Sequence, residues 1–380
     1  MRLGREEIDA VARVIQSGQL FKTMGTVTAD CESLLRSMFD VNHAILMTSG
    51  KAAIISALTA LGIGPGDEVI VPGYTYIATA IAVTAVGAIP VIAEIDGTMT
   101  LDMEDVKRKI SRYTKAVIPV HIQGFPCDMD TLLALGIPLV EDACQADGGS
   151  YKGRRLGTIG NAGALSFNHF KIISAGEGGA LLTSSRQIFE RAMIYHDSSA
   201  IAYFGNQLGD ISQPQFCGSE YRSNNIAAAI LQEQLKKLDG ILADLRKNKK
   251  IVMDALKDRF AFASSHDPDG DCGTTLAFRF ETEREARAFN ERINGTVPID
   301  TGKHVYTNWT PVMDKRGAFH PEMDPFKMTA NRGLNHNYTI DMCPKTLDYL
   351  ARTVYMNVNP NWTERDIAEK IKLCGKGGNI

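Results

Sequence analysis

From about residue 40 to residue 200 the chain alternates strand-length apolar runs with segments of helical period, and that alternation leaves few folds open. Seven runs have the length and composition of strands: Ala44–Met47, Val69–Val71, Ile89–Ile92, Ala116–Val120, Pro138–Glu141, Ala162–Phe167 and Ala180–Thr183. Helices are predicted between them, up to Leu61, over Ile77–Val86, over Met103–Ile110 and near Met129–Ala134. Strands that are apolar on both faces have to be covered on both faces, and a helix between consecutive strands makes the crossover of a parallel pair. The prediction is an α/β protein with a mostly parallel seven-stranded sheet sandwiched by helices.

Two helices precede this region. One spans residues 4–17, with Ile8, Val11, Val14 and Ile15 read as one face, and the other Ala29–Phe39. After it, residues 222–260 read as a long helical stretch in which Leu231, Leu235, Leu238 and Leu242 recur near helical spacing. A strand at Thr275–Phe280 and helices at Arg284–Ile293 and Glu364–Leu373 suggest a smaller C-terminal α+β domain. At 380 residues, a large domain over 1–245 and a small one over 246–380 is the expected division.

Composition removes several function classes. The formal net charge of −3 gives no footprint for nucleic acid or for an anionic membrane surface. The seven cysteines form no C-x-x-C pair and are odd in number, so neither a zinc knuckle nor a disulfide framework is expected. No metal site is expected, and a reducing cytoplasm is the expected compartment. The first residues, Met1 to Glu7, lack the apolar core of a signal peptide, and the longest apolar run, Ile77–Pro90, is too short to span a bilayer.

In such a fold ligands bind beyond the carboxyl ends of the strands, and four segments there carry chemistry. Ser49-Gly50-Lys51-Ala52-Ala53 joins a strand to a helix N-terminus, whose free amides and dipole suit a phosphate; an ordinary tight turn is the alternative. Val140-Glu141-Asp142 ends a buried strand in acids. Asp142 there is costly unless it meets a cation such as a protonated ring nitrogen, or else serves as a helix N-cap. Ser166-Phe167-Asn168-His169-Phe170-Lys171, followed by Gly176-Glu177-Gly178-Gly179, places one lysine in a polar loop between two strands. A lysine beside a phosphate and a desolvating wall can form an imine. In Pro72-Gly73-Tyr74-Thr75-Tyr76 an aromatic past a strand end can stack on a flat ring, or belong to the core.

Taken in this order, the segments resemble the DegT/DnrJ/EryC1/StrS sugar aminotransferases, a branch of the fold-type I pyridoxal-phosphate (PLP) enzymes. The resemblance runs from Gly4-Arg5-Glu6-Glu7 to the last helix. Its most specific stretches are Gly62 to Pro72, Glu141-Asp142-Ala143-Cys144-Gln145-Ala146, and Lys171 with the glycine run at 176–179. It implies PLP held as an imine on Lys171, which also moves the proton between substrate carbon and cofactor. Asp142 would pair with the ring nitrogen, Tyr76 stack on the ring and Gln145 lie near the ring hydroxyl. Gly50, Ser166 and the amides of Lys51 and Ala52 would hold the phosphate, with His169 further out.

The implied reaction takes an amino group from glutamate or glutamine to a keto-sugar: a sugar nucleotide, an octulosonate or an aminocyclitol precursor. The implied assembly is a homodimer with shared sites. Two positions depart from the family pattern: Lys51 stands where the loop usually has threonine, and Glu220-Tyr221-Arg222 where it has Asn-Tyr-Arg. Glu220 would face the neighbouring subunit's phosphate, and pairing of Lys51 with Glu220 across the dimer is one way to offset the repulsion.

Gly149-Ser150-Tyr151-Lys152-Gly153 and Asp267-Pro268-Asp269-Gly270-Asp271 resemble the 8-amino-3,8-dideoxy-octulosonate transaminase branch. Acceptor contacts are expected from Tyr203, Phe204, His304, Tyr306, Trp309, His320 and His336. Two other readings stand beside this one: a related PLP sugar dehydratase, disfavoured because its lysine is replaced by histidine, and a non-catalytic PLP-fold regulator. A nicotinamide enzyme would need G-x-G-x-x-G after the first strand, and the residues around Gly50 lack it.

Overall fold

A computed structural model describes residues 2–199 and 211–375. Helices α1 (Arg5–Ser17) and α2 (Val27–Phe39) lead into β1 (His43–Met47), α3 (Gly50–Ala60), β2 (Glu68–Pro72), α4 (Ala78–Ala85) and β3 (Ile89–Ala93). Then come α5 (Met103–Lys109), β4 (Thr114–Val117), α6 (Met129–Ala134), β5 (Val140–Asp142), a short hairpin of β6 (Ser150–Tyr151) and β7 (Arg154–Arg155), β8 (Ala162–Ser166) and β9 (Gly179–Thr183). Helices α7 (Arg186–His196) and α8 (Asn225–Leu256) follow. The C-terminal part holds β10 (Ala261–Phe262), β11 (Thr275–Arg279), α9 (Glu283–Ile293), α10 (Thr310–Met313), α11 (Pro344–Ala351), β12 (Thr353–Asn357) and α12 (Glu364–Gly375).

Two ladders, β1-β9-β8-β5 and β3-β2-β4, meet where Val117 bridges Leu139 and Val120 bridges Asp142. The main sheet therefore runs β1-β9-β8-β5-β4-β2-β3. Only β9 is antiparallel to its neighbours, so the sheet is mostly parallel and seven-stranded, as the alternation predicts. Every residue of β2, β3, β8 and β9 is buried, which is what helices on both faces require. The strands β10, β11 and β12 form a separate antiparallel sheet with α9 packed against β12. Helix α8 continues unbroken through residue 245, burying Leu231, Leu235, Leu238 and Leu242, and packs on α1, α2 and α12.

Helix α1 departs from its reading. It buries Glu7, Ala10 and Val14, while Ile8 and Ile15 are 61% and 60% exposed. The inner face can hold Glu7 because its carboxylate accepts from the Gly4 amide, Gln234 Nε2 and Lys237 Nζ. Helix α7, helix α11 and strand β12 were not expected from the pattern.

Two buried glutamates tie down the carboxyl ends of β3 and β5. Glu141 accepts from the amides of Gly157 at 2.8 Å, Ile159 at 2.6 Å and Gly160 at 2.6 Å, and lies 3.1 Å from His121 Nε2. Glu94 accepts from the Lys345 and Thr346 amides at the start of α11 and from the Thr346 hydroxyl, tying the C-terminal part to the end of β3. The Glu141→Gln variant keeps the shape but replaces an acceptor oxygen by NH₂ facing amide donors. It should lose about 3 kcal/mol of stability in equilibrium unfolding, the range for a broken buried charged network.

Candidate active site

The carboxyl ends of β1, β2, β4, β5 and β8 open on one side of the sheet, and the predicted segments meet there. Ser49 caps α3, its hydroxyl accepting from the Ala52 amide at 3.1 Å. Because the Ala53 amide bonds Ser49 O, the first-turn amides of Gly50 and Lys51 are left for a ligand. Gly50 is required by space: a Cβ there would lie 2.4 Å from Cys144 Sγ and 3.0 Å from Ser166 Cβ. That contact is what seats the helix N-terminus against Ser166 at the end of β8. Ala52 is buried and Lys51 points outward.

Asp142, at the end of β5, is buried. Its Oδ2 accepts from the Thr79 hydroxyl at 2.7 Å and its Oδ1 from the Cys144 amide at 3.1 Å. The second contact closes a local turn; no helix begins there, so Asp142 is not a helix N-cap. Both neighbours are donors, which keeps the group an acceptor with capacity left for one cation.

Lys171 is half-buried in the loop after β8. The loop is held by the Lys171 amide on Asn168 O, the Ala175 amide on Phe167 O, and the Ser174 hydroxyl on the same carbonyl. Lys171 is near enough to Cys144, Asp147 and His304 for its charge to bear on all three. With Gln123, Gln145, Phe170, Thr275 and His304 it lines a cleft of about 450 Å³. Gln145 Oε1 accepts from the Gln123 amide at 3.1 Å, where Gln123 takes a left-handed φ of 52°. His169 is exposed and stands edge-on to Phe170.

Of the two tyrosines after β2, Tyr74 is core and Tyr76 is 45% exposed. The Tyr76 ring lies 5.3 Å from His304, whose carbonyl accepts from the Thr75 amide. Burial, partly opposed by the Thr301 carbonyl, lowers the His304 pKa, so this imidazole is neutral at physiological pH. Tyr306 and Trp309, read as acceptor contacts, are fully buried packing instead. Tyr306 donates to Ile340 O at 2.6 Å and Trp309 Nε1 to Lys303 O at 2.9 Å. His320 caps its own turn, His336 lies near Phe326, and Tyr203 and Phe204 fall outside the described residues.

Glu220 is paired within its own chain, 2.6 Å from Arg222, and Arg222 also pairs with Asp197. The segment lies against β1: the Tyr221 carbonyl accepts from the Thr48 amide, one residue before Ser49. Glu220 is thus close to the helix N-terminus of its own subunit, with its charge already offset by Arg222.

The pattern reading missed Thr79, Gln123 and Asp147. Asp147 is wholly buried, and no donor makes a well-formed hydrogen bond to either oxygen. Burial pushes its pKa well above the ordinary carboxylate range, Lys171 and the Ser166 amide pull it down, and Asp142 adds to the rise. A raised carboxyl contributes stability only while protonated, and loses it as pH rises from the unfolded value, about 4, through the folded one. Asp147→Asn should therefore melt higher than the parent at alkaline pH in the cofactor-free protein, by about 2 °C or more. The advantage should vanish near pH ~4, where the unfolded carboxyl is also protonated.

The comparisons with known proteins come down on one family. The sequence profile described as the DegT/DnrJ/EryC1/StrS aminotransferase family matches residues 1–369. An aminotransferase structure from Psychrobacter cryohalolentis is 25% identical, covering 98% of this chain and 96% of its own, with a TM-score of 0.82. DesV from S. venezuelae, solved with a ketimine intermediate, is 28% identical over 97% of this chain and 93% of its own, with a TM-score of 0.75. The GDP-4-keto-6-deoxy-D-mannose-3-dehydratase of E coli, with hydrated PLP, shares the fold at 20% identity and a TM-score of 0.80, covering 98% of this chain and 97% of its own. Among the described residues no helix is long and apolar enough to cross a membrane.

Proposed function

The chain belongs to the DegT/DnrJ/EryC1/StrS aminotransferase family and is a PLP-dependent aminotransferase, and from that premise we propose that it moves an amino group from glutamate or glutamine to a keto-sugar. The observation that carries this reading is the meeting of Lys171, Gln145 and His304 in one cleft, beside an Asp142 held by two donors. PLP supplies an electron sink for the carbanion. The residues present fit it: an acceptor carboxylate, a helix N-terminus with free amides, and one half-buried lysine.

In this reading Lys171 binds the cofactor and carries a proton on Nζ to and from the substrate carbon. Asp142 keeps a proton on the ring nitrogen. Gln145 would hold the ring hydroxyl, and Tyr76 would stack on the ring. Gly50, Lys51 and Ser166 hold the phosphate, the expected Ala52 amide being taken instead by the Ser49 hydroxyl, with Glu220 and Arg222 beside the same loop. Neutral His304, beside Tyr76, takes a hydroxyl or carbonyl of the acceptor. The division near residue 245 and a homodimer with shared sites belong to the same reading. The exposed Tyr76 and Phe170 at the cleft are surface that a second subunit would cover.

The residues that suggested the octulosonate branch pack on one another: the Lys152 amide bonds Asp267 Oδ2, and the Ser150 amide bonds Gly270 O. They are scaffold, and the acceptor is therefore proposed only as a keto-sugar. To test the function, PLP-loaded protein is offered isotope-labelled glutamate or glutamine with a panel of keto-sugars. Label appearing on a sugar supports the proposal and identifies the donor. Loss of water from the sugar without label transfer would instead establish the dehydratase reading.

A further inference from the structure

We propose that Thr79 is a positioning residue that holds Asp142 as an acceptor towards the cofactor nitrogen, and that Thr75 fixes the direction of that hydrogen bond. The inference rests on the reading of Asp142 as the partner of the ring nitrogen.

Thr79 lies in the first turn of α4 and is fully buried, as is Thr75 just before the helix. The two hydroxyl oxygens are 2.8 Å apart, and Thr79 Oγ1 is 2.7 Å from Asp142 Oδ2. A carboxylate only accepts, so the Thr79 proton goes to Asp142. The lone pairs of Thr79 are then free to accept, and the Thr75 proton goes to Thr79. The chain Thr75→Thr79→Asp142 is polarised in one sense, and its far end is anchored: the Thr75 amide bonds the carbonyl of His304 at 2.9 Å.

A hydroxyl donating to one oxygen of a buried carboxylate fixes its plane. With Cys144 N on the other oxygen, both edges of Asp142 are held, and the remaining acceptor capacity faces the site. A carboxylate released from Thr79 could rotate out of line with the ring nitrogen. Thr79 and Thr75 also stand at i, i+4 spacing, which brings two residues to one helix face; here Thr75 lies just outside α4 and Thr79 in its first turn.

The test compares PLP with its carbocyclic analogue, in which the ring nitrogen is replaced by C–H. Cofactor-free protein is titrated with each, and the ratio of the two affinities is the readout. A merely structural role would weaken both alike. The parent should prefer PLP. Thr79→Val, which keeps the shape and removes the donor, should lose about ten-fold of that preference, and Thr79→Ser should keep it. Thr75→Val, which leaves Thr79 in place without its own donor, should give a smaller loss in the same direction and tests the chain even if Thr79→Val folds poorly. A preference unchanged in folded Thr79→Val, or in Thr75→Val should that variant alone fold, overturns the proposal. A parent that does not distinguish PLP from the analogue overturns the Asp142 reading itself.

Discussion

Replacing Lys171 by alanine is expected to abolish the visible absorption band of the PLP-loaded protein and to lower amino transfer by about a thousand-fold or more. Both effects come from one nitrogen. Among the described residues Lys171 is the one lysine in the cleft lining, in a loop pinned by bonds to the Phe167 and Asn168 carbonyls. The loop should survive the substitution, because those bonds use the Lys171 amide, the Ala175 amide and the Ser174 hydroxyl rather than the Lys171 side chain. PLP should then still bind, through the phosphate loop and Asp142, but as a free aldehyde with a shifted spectrum. The parent band should bleach when glutamate or glutamine is added, and the donor that bleaches it is the physiological type. A parent protein that shows no band with added PLP would remove catalysis from the account and leave a PLP-fold regulator. A variant that keeps the band would show that another lysine carries the cofactor.

How much of this could be read beforehand depends on the kind of signal. The sheet was legible because its strands are buried on both faces and written as apolar runs, and even β9 could be placed as a strand, though nothing in its residues says that it runs antiparallel. The segments of the candidate site were legible because each lies at a strand end, where the chain has to turn and where polar residues stand out. What stayed hidden depends on contacts between distant segments. Glu7 sits on the inner face of α1 only because Gln234 and Lys237 of α8 meet it there, so Ile8 and Ile15 looked like the buried stripe. Tyr306 and Trp309 are typical sugar-binding residue types, yet their polar atoms are satisfied by the Ile340 and Lys303 carbonyls within the core. Asp147 looked like one more acid in a loop; its isolation is a property of the space around it. Thr79 carries a usable signal in its spacing from Thr75, but an uncharged hydroxyl on an apolar helix does not stand out.

The glycine run after Lys171 stood out in the sequence without a reason, and its geometry predicts the second large effect. Gly179→Ala is expected to lower stability by about 3 kcal/mol, the upper end for an overpacked core, and to weaken PLP binding at the same time. Gly179 opens β9, opposite Met47 on one side and Ser166 on the other. A Cβ there would lie 2.3 Å from Ser49 C and 2.5 Å from both Gly50 N and Ser49 O. These are backbone atoms, which cannot swing aside as a side chain can, so the methyl group fits only if the turn leading into α3 moves away from β9. That turn carries the amides proposed to hold the phosphate, and its displacement couples stability to cofactor affinity. Gly176 supplies the control. It has a left-handed φ of 86° but nothing within 4 Å of a built Cβ. Gly176→Ala should therefore cost only the backbone strain, about 1 kcal/mol, with PLP affinity unchanged. Equilibrium unfolding of the cofactor-free proteins and PLP titration separate the two cases. If Gly179→Ala binds PLP as the parent does despite its lost stability, the Ser49–Gly50 turn is not the phosphate site, and the cofactor has to be held elsewhere along the strand ends.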